Sequence, residues 1–403
     1  MLRQGLFTLV LSLILAAVAC ADAPDLVDIL TGNPDNGFGR AVCISGGRAA
    51  VGCPQTNGIA GAVQVYDVAP SASTVSHALL GEAGYDRFGT CVDMDGDRLL
   101  VGAFTANVPG YTDAGKAYAY DLSVPGTTPT HVYQGKVLQE EFGTDVAVSG
   151  TTALVGAPRY ATPEGDPYVG RAYQFDLANP NTEPVAYATG PGAHSTFGYS
   201  VAVDGSRAVV GAGGDQSEGP GAAYGFTLPL GAADMTMSGE EDEDRCGWSC
   251  DVDGRYGAVG AVWAGDEVNA GKVYVYDMTS PLTAPKVFET DLAGDNFGCS
   301  LAVEGELLLV GAYLADDGDM EEAGKAFLYH IPSQALLWTF RGDAANDGFG
   351  CGVDMEASQV IIGTFSAGKA YIYDIGRIPE PATLSVLVLG AAAALTRDRK
   401  SVV

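Results

Sequence analysis

The chain repeats itself seven times, and that repetition limits its fold more than any other feature. A Phe-Gly pair, once replaced by Cys-Gly, begins at Phe38, Phe88, Phe142, Phe197, Cys246, Phe297 and Phe349, at intervals of 49–55 residues. Fourteen residues after each Phe or Cys comes the glycine of a Val/Ile-Gly pair: Gly52, Gly102, Gly156, Gly211, Gly260, Gly311 and Gly363. A third stretch carries alternating aromatics, such as Tyr118 and Tyr120, Tyr274 and Tyr276, or Tyr371 and Tyr373. Asp closes that stretch in five units, at Asp67, Asp121, Asp176, Asp277 and Asp374. Each stretch alternates with period two between turn-forming residues, so each reads as a strand. Further short strands, such as Val75–Leu80 and Leu336–Phe340, make four per unit. Four strands per ~50 residues is the signature of a propeller blade, whose apolar faces are buried only by its neighbours.

The way the ring closes is also legible. The seventh unit stops after its third strand, at Asp374, while Leu26–Leu30 looks like the end of a unit that lacks a beginning. A Gly stands seven residues before the Phe/Cys-Gly in five units (Gly81, Gly135, Gly190, Gly239, Gly342), and Gly32 stands six before Phe38. The N-terminal strand is therefore expected to complete the last blade, removing an exposed edge. The expected fold is all-β: one seven-bladed β-propeller over residues 25–376, latched by that strand.

The two glycine motifs and their spacing resemble the FG-GAP repeats that build the propeller of integrin α-subunit heads and of many bacterial surface proteins. Ala157-Pro158 completes a literal Gly-Ala-Pro in the third unit, and elsewhere the Pro is replaced by Phe104, Gly213, Val262 or Tyr313. The resemblance implies a binding or adhesion module. Integrin-type units carry a calcium loop between the two motifs. Here that connection is a bare turn, as in Val203-Asp204-Gly205-Ser206, so the family's calcium site does not carry over wholesale.

Both ends read as address labels. Residues 1–21 combine Arg3, an apolar run over Leu6–Val18 and a small-residue cleavage site at Ala17-Val18-Ala19, which is a secretory signal. Cleavage is expected at Ala19 or Cys20, and Cys20 also raises the alternative of lipidation. Residues 377–403 hold Pro379-Glu380-Pro381, an apolar run Ala382–Leu395, and Arg397, Arg399 and Lys400. This segment resembles the PEP-CTERM sorting signal of Gram-negative bacteria. The resemblance implies an exosortase-type processing partner, a transient membrane anchor, and delivery to the cell surface or exopolysaccharide. The apolar run spans only ~21 Å as a helix, short of a ~30 Å hydrocarbon core, which suits a temporary anchor.

The chain has 50 Asp+Glu against 21 Lys+Arg, and removing both terminal segments leaves 48 acids and 16 cations. Nucleic acid is excluded as a partner, because no basic patch is available to displace counterions. Hydrophobic residues make up 47%, enough for a large core, so disorder is excluded as well.

Cation candidates are few. Asp316, Asp317, Asp319 and Glu321 fall in a loop between the second and third strands of blade 6. Asp93, Asp95 and Asp97 fall in the first hairpin of blade 2. Alternating hard oxygen ligands around a Gly suit Ca²⁺, with a solvated acidic turn as the alternative for both. An acidic residue also recurs two before the Phe/Cys-Gly, at Asp86, Glu140, Asp244, Asp295 and Asp347, with Asn36 and Ser195 elsewhere. These read as turn caps rather than a carboxylate ring. Cys43 with Cys53, and Cys299 with Cys351, are possible but poorly placed disulfide pairs. Arg341-Gly342-Asp343 spells an adhesion tripeptide around the recurring turn glycine. The four His are scattered and no Gly-x-Ser-x-Gly appears, so no catalytic residue is assigned. The expected function is a non-catalytic binding or adhesion protein exported to the cell surface, with an extracellular polysaccharide or a surface protein as partner. Alternatives are a structural matrix component without a specific ligand, and a propeller enzyme such as a polysaccharide lyase.

Overall fold

The second strand of every unit is almost entirely aliphatic. In Leu307–Ala312, Leu308, Leu309 and Val310 have no exposed surface. Such a strand cannot have a wet face; it must lie between two neighbouring sheets. The third strand alternates instead, as in Lys325–His330, where Ala326 and Leu328 are inaccessible and Lys325 and Phe327 are half-buried. In the computed structural model, which describes residues 24–376 except 55–59, 215–218, 242, 266–268, 281 and 291–293, these strands form seven four-stranded antiparallel sheets. Blades 1–6 are simple meanders in chain order. The innermost strands of consecutive blades touch all the way round, and the first (Val42–Ser45) touches the last (Phe349–Glu356). The ring is closed.

Its closure is the expected one. Asp25–Thr31 pairs antiparallel with Lys369–Asp374, with Ile29 opposite Tyr371 and Leu30 opposite Ala370. Leu30 is buried against Phe38 and Ile372, so the latch contributes a core residue as well as hydrogen bonds.

The two glycine motifs turn out to be one spacing device. A Cβ on the Val/Ile-Gly glycine would overlap the carbonyl oxygen of the Phe/Cys-Gly glycine in the next blade, at all seven joints. Gly102 thus meets Gly143, and Gly363 meets Gly39 across the closure. The residue before each of those glycines plugs the joint: Phe88, Phe142, Phe297 and Phe349 are almost inaccessible. They pack edge-on or tilted against the third strand's aromatics, with Phe88–Tyr118 and Phe349–Tyr371 centroids 5.2 Å apart.

Candidate functional site

The innermost strands surround an axial cavity of about 870 Å³ that all seven blades line. Its throat holds four carboxylates, Asp93, Asp145, Asp251 and Asp354. Each reaches sideways to the backbone of the following blade. Asp93 accepts from Val148 N (2.6 Å), Asp145 from Val201 N (2.8 Å), Asp251 from Val303 N (2.6 Å) and Asp354 from Ile44 N (2.7 Å). Burial pushes Asp93 up to about 6, and Asp145 and Asp251 up to about 7. Asp354 is also raised, and each of the four feels the charge of at least one other carboxylate. The throat therefore gains protons near neutral pH while its oxygens tie the blades together.

A second seam runs around the far end of the same strands. Ser45 accepts from Gly96 N, Asp95 from Gly150 N, Ser149 from Gly205 N and Asp204 from Gly254 N. Asp253 then accepts from Gly305 N, Glu304 from Ala357 N and Glu356 from Gly46 N. All seven joints are stitched in this way. The hairpin turn of each blade presents its backbone N–H to the side chain of the blade before it.

At the Phe-Gly end the cavity opens into an uneven mouth. Blades 1–3 contribute Arg40, Arg87 and Arg159, with Glu141 among them. Arg40 lies over the Phe365 ring (3.9 Å) and Arg87 over Phe104 (5.2 Å), while Arg159 pairs with Glu141 (3.2 Å). Burial lowers the Arg40 pKa, and the neighbouring positive charge of Arg87 lowers it further. Blades 4 and 5 contribute Tyr199 and Trp248, whose rings lie 4.9 Å apart. Blades 6 and 7 place Cys299 and Cys351 at the corresponding position.

The structure scatters the residues singled out as cation candidates among separate partners. Asp93 and Asp95 bond to blade 3 as above, and Asp97 pairs with Arg48 of blade 1. In the blade 6 loop, Asp316 Oδ1 accepts from Glu322 N (2.8 Å), and Asp317 pairs with both Arg341 and Lys325. Asp319 and Glu321 lie on the same tight hairpin, in which Asp317 and Met320 are bridged. The matching loop of blade 2 folds alike, with Asn107 Oδ1 accepting from Asp113 N (3.0 Å), so capping this hairpin does not require an acid. Among the described residues no three His, Cys, Asp or Glu side chains are grouped to hold a metal ion.

Four of the five acids two before the Phe/Cys-Gly cap their own turns. Asp86 accepts from Ala83 N, Glu140 from Lys136 N and Val137 N, Asp244 from Glu240 N and Glu241 N, and Asp347 from Ala344 N. The body cysteines are free thiols, and Cys43 stands opposite Ala50, not Cys53. In the Arg-Gly-Asp tripeptide, Arg341 pairs with Asp317, and Asp343 accepts from Tyr371 Oη (2.5 Å). Ala19, Cys20, Pro379, Glu380 and Pro381 lie outside the described residues.

Reading the sequence for local clusters missed the throat and the seam. Their signal was positional: Asp93, Asp251 and Asp354 all stand five residues after the Phe/Cys of their unit, and the seam residues all stand seven after it.

Residues 81–120, 187–226 and 291–329 match the FG-GAP repeat model. Each segment runs from the end of one blade through the third strand of the next. No curated protein matches the chain. Among solved structures, the computationally designed Ika8 protein superposes with a TM-score of 0.51 at 12% identity, covering 87% of this chain and 99% of that one. At that identity the likeness concerns fold alone. The chain is thus a seven-bladed propeller in which three segments match the FG-GAP repeat and all seven joints share one glycine geometry.

Proposed function

We propose that this is a non-catalytic binding protein of the cell surface or exopolysaccharide, which takes its ligand at the axial mouth. One observation carries the reading: a scaffold that repeats closely at its joints varies around the mouth, with five residue types at seven equivalent positions. Two residues after the ring Phe or Cys stand Arg40, Thr90, Thr144, Tyr199, Trp248, Cys299 and Cys351. Packing alone would favour one residue type there, as it does at the glycine joints. The throat acids support a binding role over a catalytic one, because each is committed to a backbone N–H of the adjacent blade. The secretory signal and the sorting segment support the surface location, and the FG-GAP-type repeats support adhesion or binding. An array of glycans and surface proteins probed with the labelled chain tests this. Retention that is lost when Trp248 is changed to Ala is expected. Release of shortened products from purified exopolysaccharide would instead identify an enzyme.

A further inference from the structure

The mouth divides into arcs of different chemistry, and resting on the proposed binding role, that division specifies a class of ligand. A cationic arc spans blades 1–3 through Arg40, Arg87 and Arg159, and an aromatic arc spans blades 4 and 5 through Tyr199 and Trp248. The propeller body has three acids for every cation, yet three arginines converge on this one opening. Glu141 pairs with Arg159, and the four throat acids lie deeper in the same cavity, so the cations are concentrated at the rim.

The backbone at the rim follows one pattern, which makes one of its residues open to a clean substitution. The residue just before the ring Phe or Cys is left-handed in every blade. Blades 1 and 7 use the residue suited to it, Gly37 (φ 69°) and Gly348 (φ 61°). Blades 2–6 hold non-glycine residues in this conformation, Arg87 (φ 55°), Glu141 (φ 56°), Thr196 (φ 50°), Arg245 (φ 54°) and Asn296 (φ 51°), and the first three of these line the cavity. A non-glycine residue at positive φ costs of order 1 kcal/mol, so glycine in place of Arg87 would fit this turn without strain.

We propose that the mouth binds a carboxylate-bearing sugar, the uronate residue of an acidic glycan. Its ring lies against Tyr199 and Trp248, and its carboxylate faces the arginines of blades 1–3. Guanidinium is the group best matched to a carboxylate, and aromatic faces receive the apolar face of a pyranose ring. The cavity, about 870 Å³, admits one or two sugar residues and so favours a chain end over a flat protein surface.

The test is calorimetric titration of the full chain with oligogalacturonate and with its methyl ester, which keeps the shape and removes the charge. The acid is expected to bind at least tenfold more tightly than the ester, with affinity falling as salt rises. Arg87→Gly removes the guanidinium and supplies the residue that blades 1 and 7 carry, so the melting temperature should not fall while acid binding weakens at least tenfold. Equal affinity for acid and ester, with Arg87→Gly unchanged, overturns recognition of the carboxylate but leaves a sugar site at the mouth. Acid binding that neither Arg87→Gly nor Trp248→Ala weakens places the ligand elsewhere and overturns the mouth reading too. If the wild type binds neither saccharide, this inference fails, and the array decides the broader proposal.

Discussion

Replacing Asp145 by Ser should stabilise the propeller at pH 8 and have little effect at pH 4. Asp145 carries a raised pKa of about 7 in the throat, caused first by burial and then, among charges, by Asp93 and Asp251. An unfolded Asp titrates near 3.9. A group whose folded pKa is raised gives its full stability only below the unfolded value and loses it as pH rises through the folded one. Ionised Asp145 therefore opposes folding from about pH 4 upward, fully so above pH 7. Three units at 1.36 kcal/mol each set an upper limit of about 4 kcal/mol at pH 8, falling to roughly a third of that at pH 5. Water in the open channel screens the charge, so about 1–2 kcal/mol is the expected gain. For a ~350-residue domain this corresponds to roughly 2–3 °C in Tm. The replacement has a precedent inside the molecule. Ser300 stands at the same position of blade 6, and its Oγ accepts from Val353 N (3.0 Å), as Asp145 accepts from Val201 N. The assay is thermal unfolding of both proteins between pH 4 and 8 at constant ionic strength. A variant that is less stable than the wild type by the same amount at every pH would refute the reasoning, because the carboxylate would then be acting as a plain acceptor.

Three further outcomes follow from the ring geometry. Deleting Asp25–Thr31 bares the edge of Lys369–Asp374 and removes buried Leu30, so stability should drop by about 5 kcal/mol and aggregation should rise; an unchanged Tm would mean the ring closes without the latch. Gly311→Ala places a methyl on the Gly350 carbonyl and should cost upward of about 2 kcal/mol, whereas Gly192→Ala meets nothing and should be neutral; equal melting temperatures would remove the spacing role of the joint glycines. Because Asp317 is already paired with Arg341 and Lys325, Ca²⁺ and Mg²⁺ at matched ionic strength should shift Tm alike; a calcium-selective shift that vanishes in Asp317→Ala/Asp319→Ala would establish a site on this loop.

The fold was open to reading because a propeller writes its geometry locally. Strand alternation, turn residues and a Phe-Gly every ~50 residues are properties of neighbouring residues, and seven copies in register leave one way to close. Even the latch was visible, as three strands of a unit at one end and the missing fourth at the other. The candidate site was less so. Asp93 and Asp95 look from the sequence like ligands beside Asp97, yet in the fold they belong to different seams: Asp93 bonds to Val148, Asp95 to Gly150, and Asp97 to Arg48. Spacing along one strand does not say which way a side chain leans, and the nearest polar group lies ~50 residues away on the next blade.

What the sequence determined alone is the repeat, its strands, the number of blades and their closure, since burial of each blade's two faces requires a neighbour on either side. Tertiary structure alone decided what the ring encloses. Arg40, Arg87 and Arg159 are far apart in the chain and have no common motif, but closure brings them to one mouth opposite Tyr199 and Trp248. The throat acids likewise acquire their raised pKa values only when the ring closes, partly burying them and bringing them near one another. The physical reason is that the strands follow from residues a few positions apart, whereas the site arises from residues brought to a common axis by the closing of the ring.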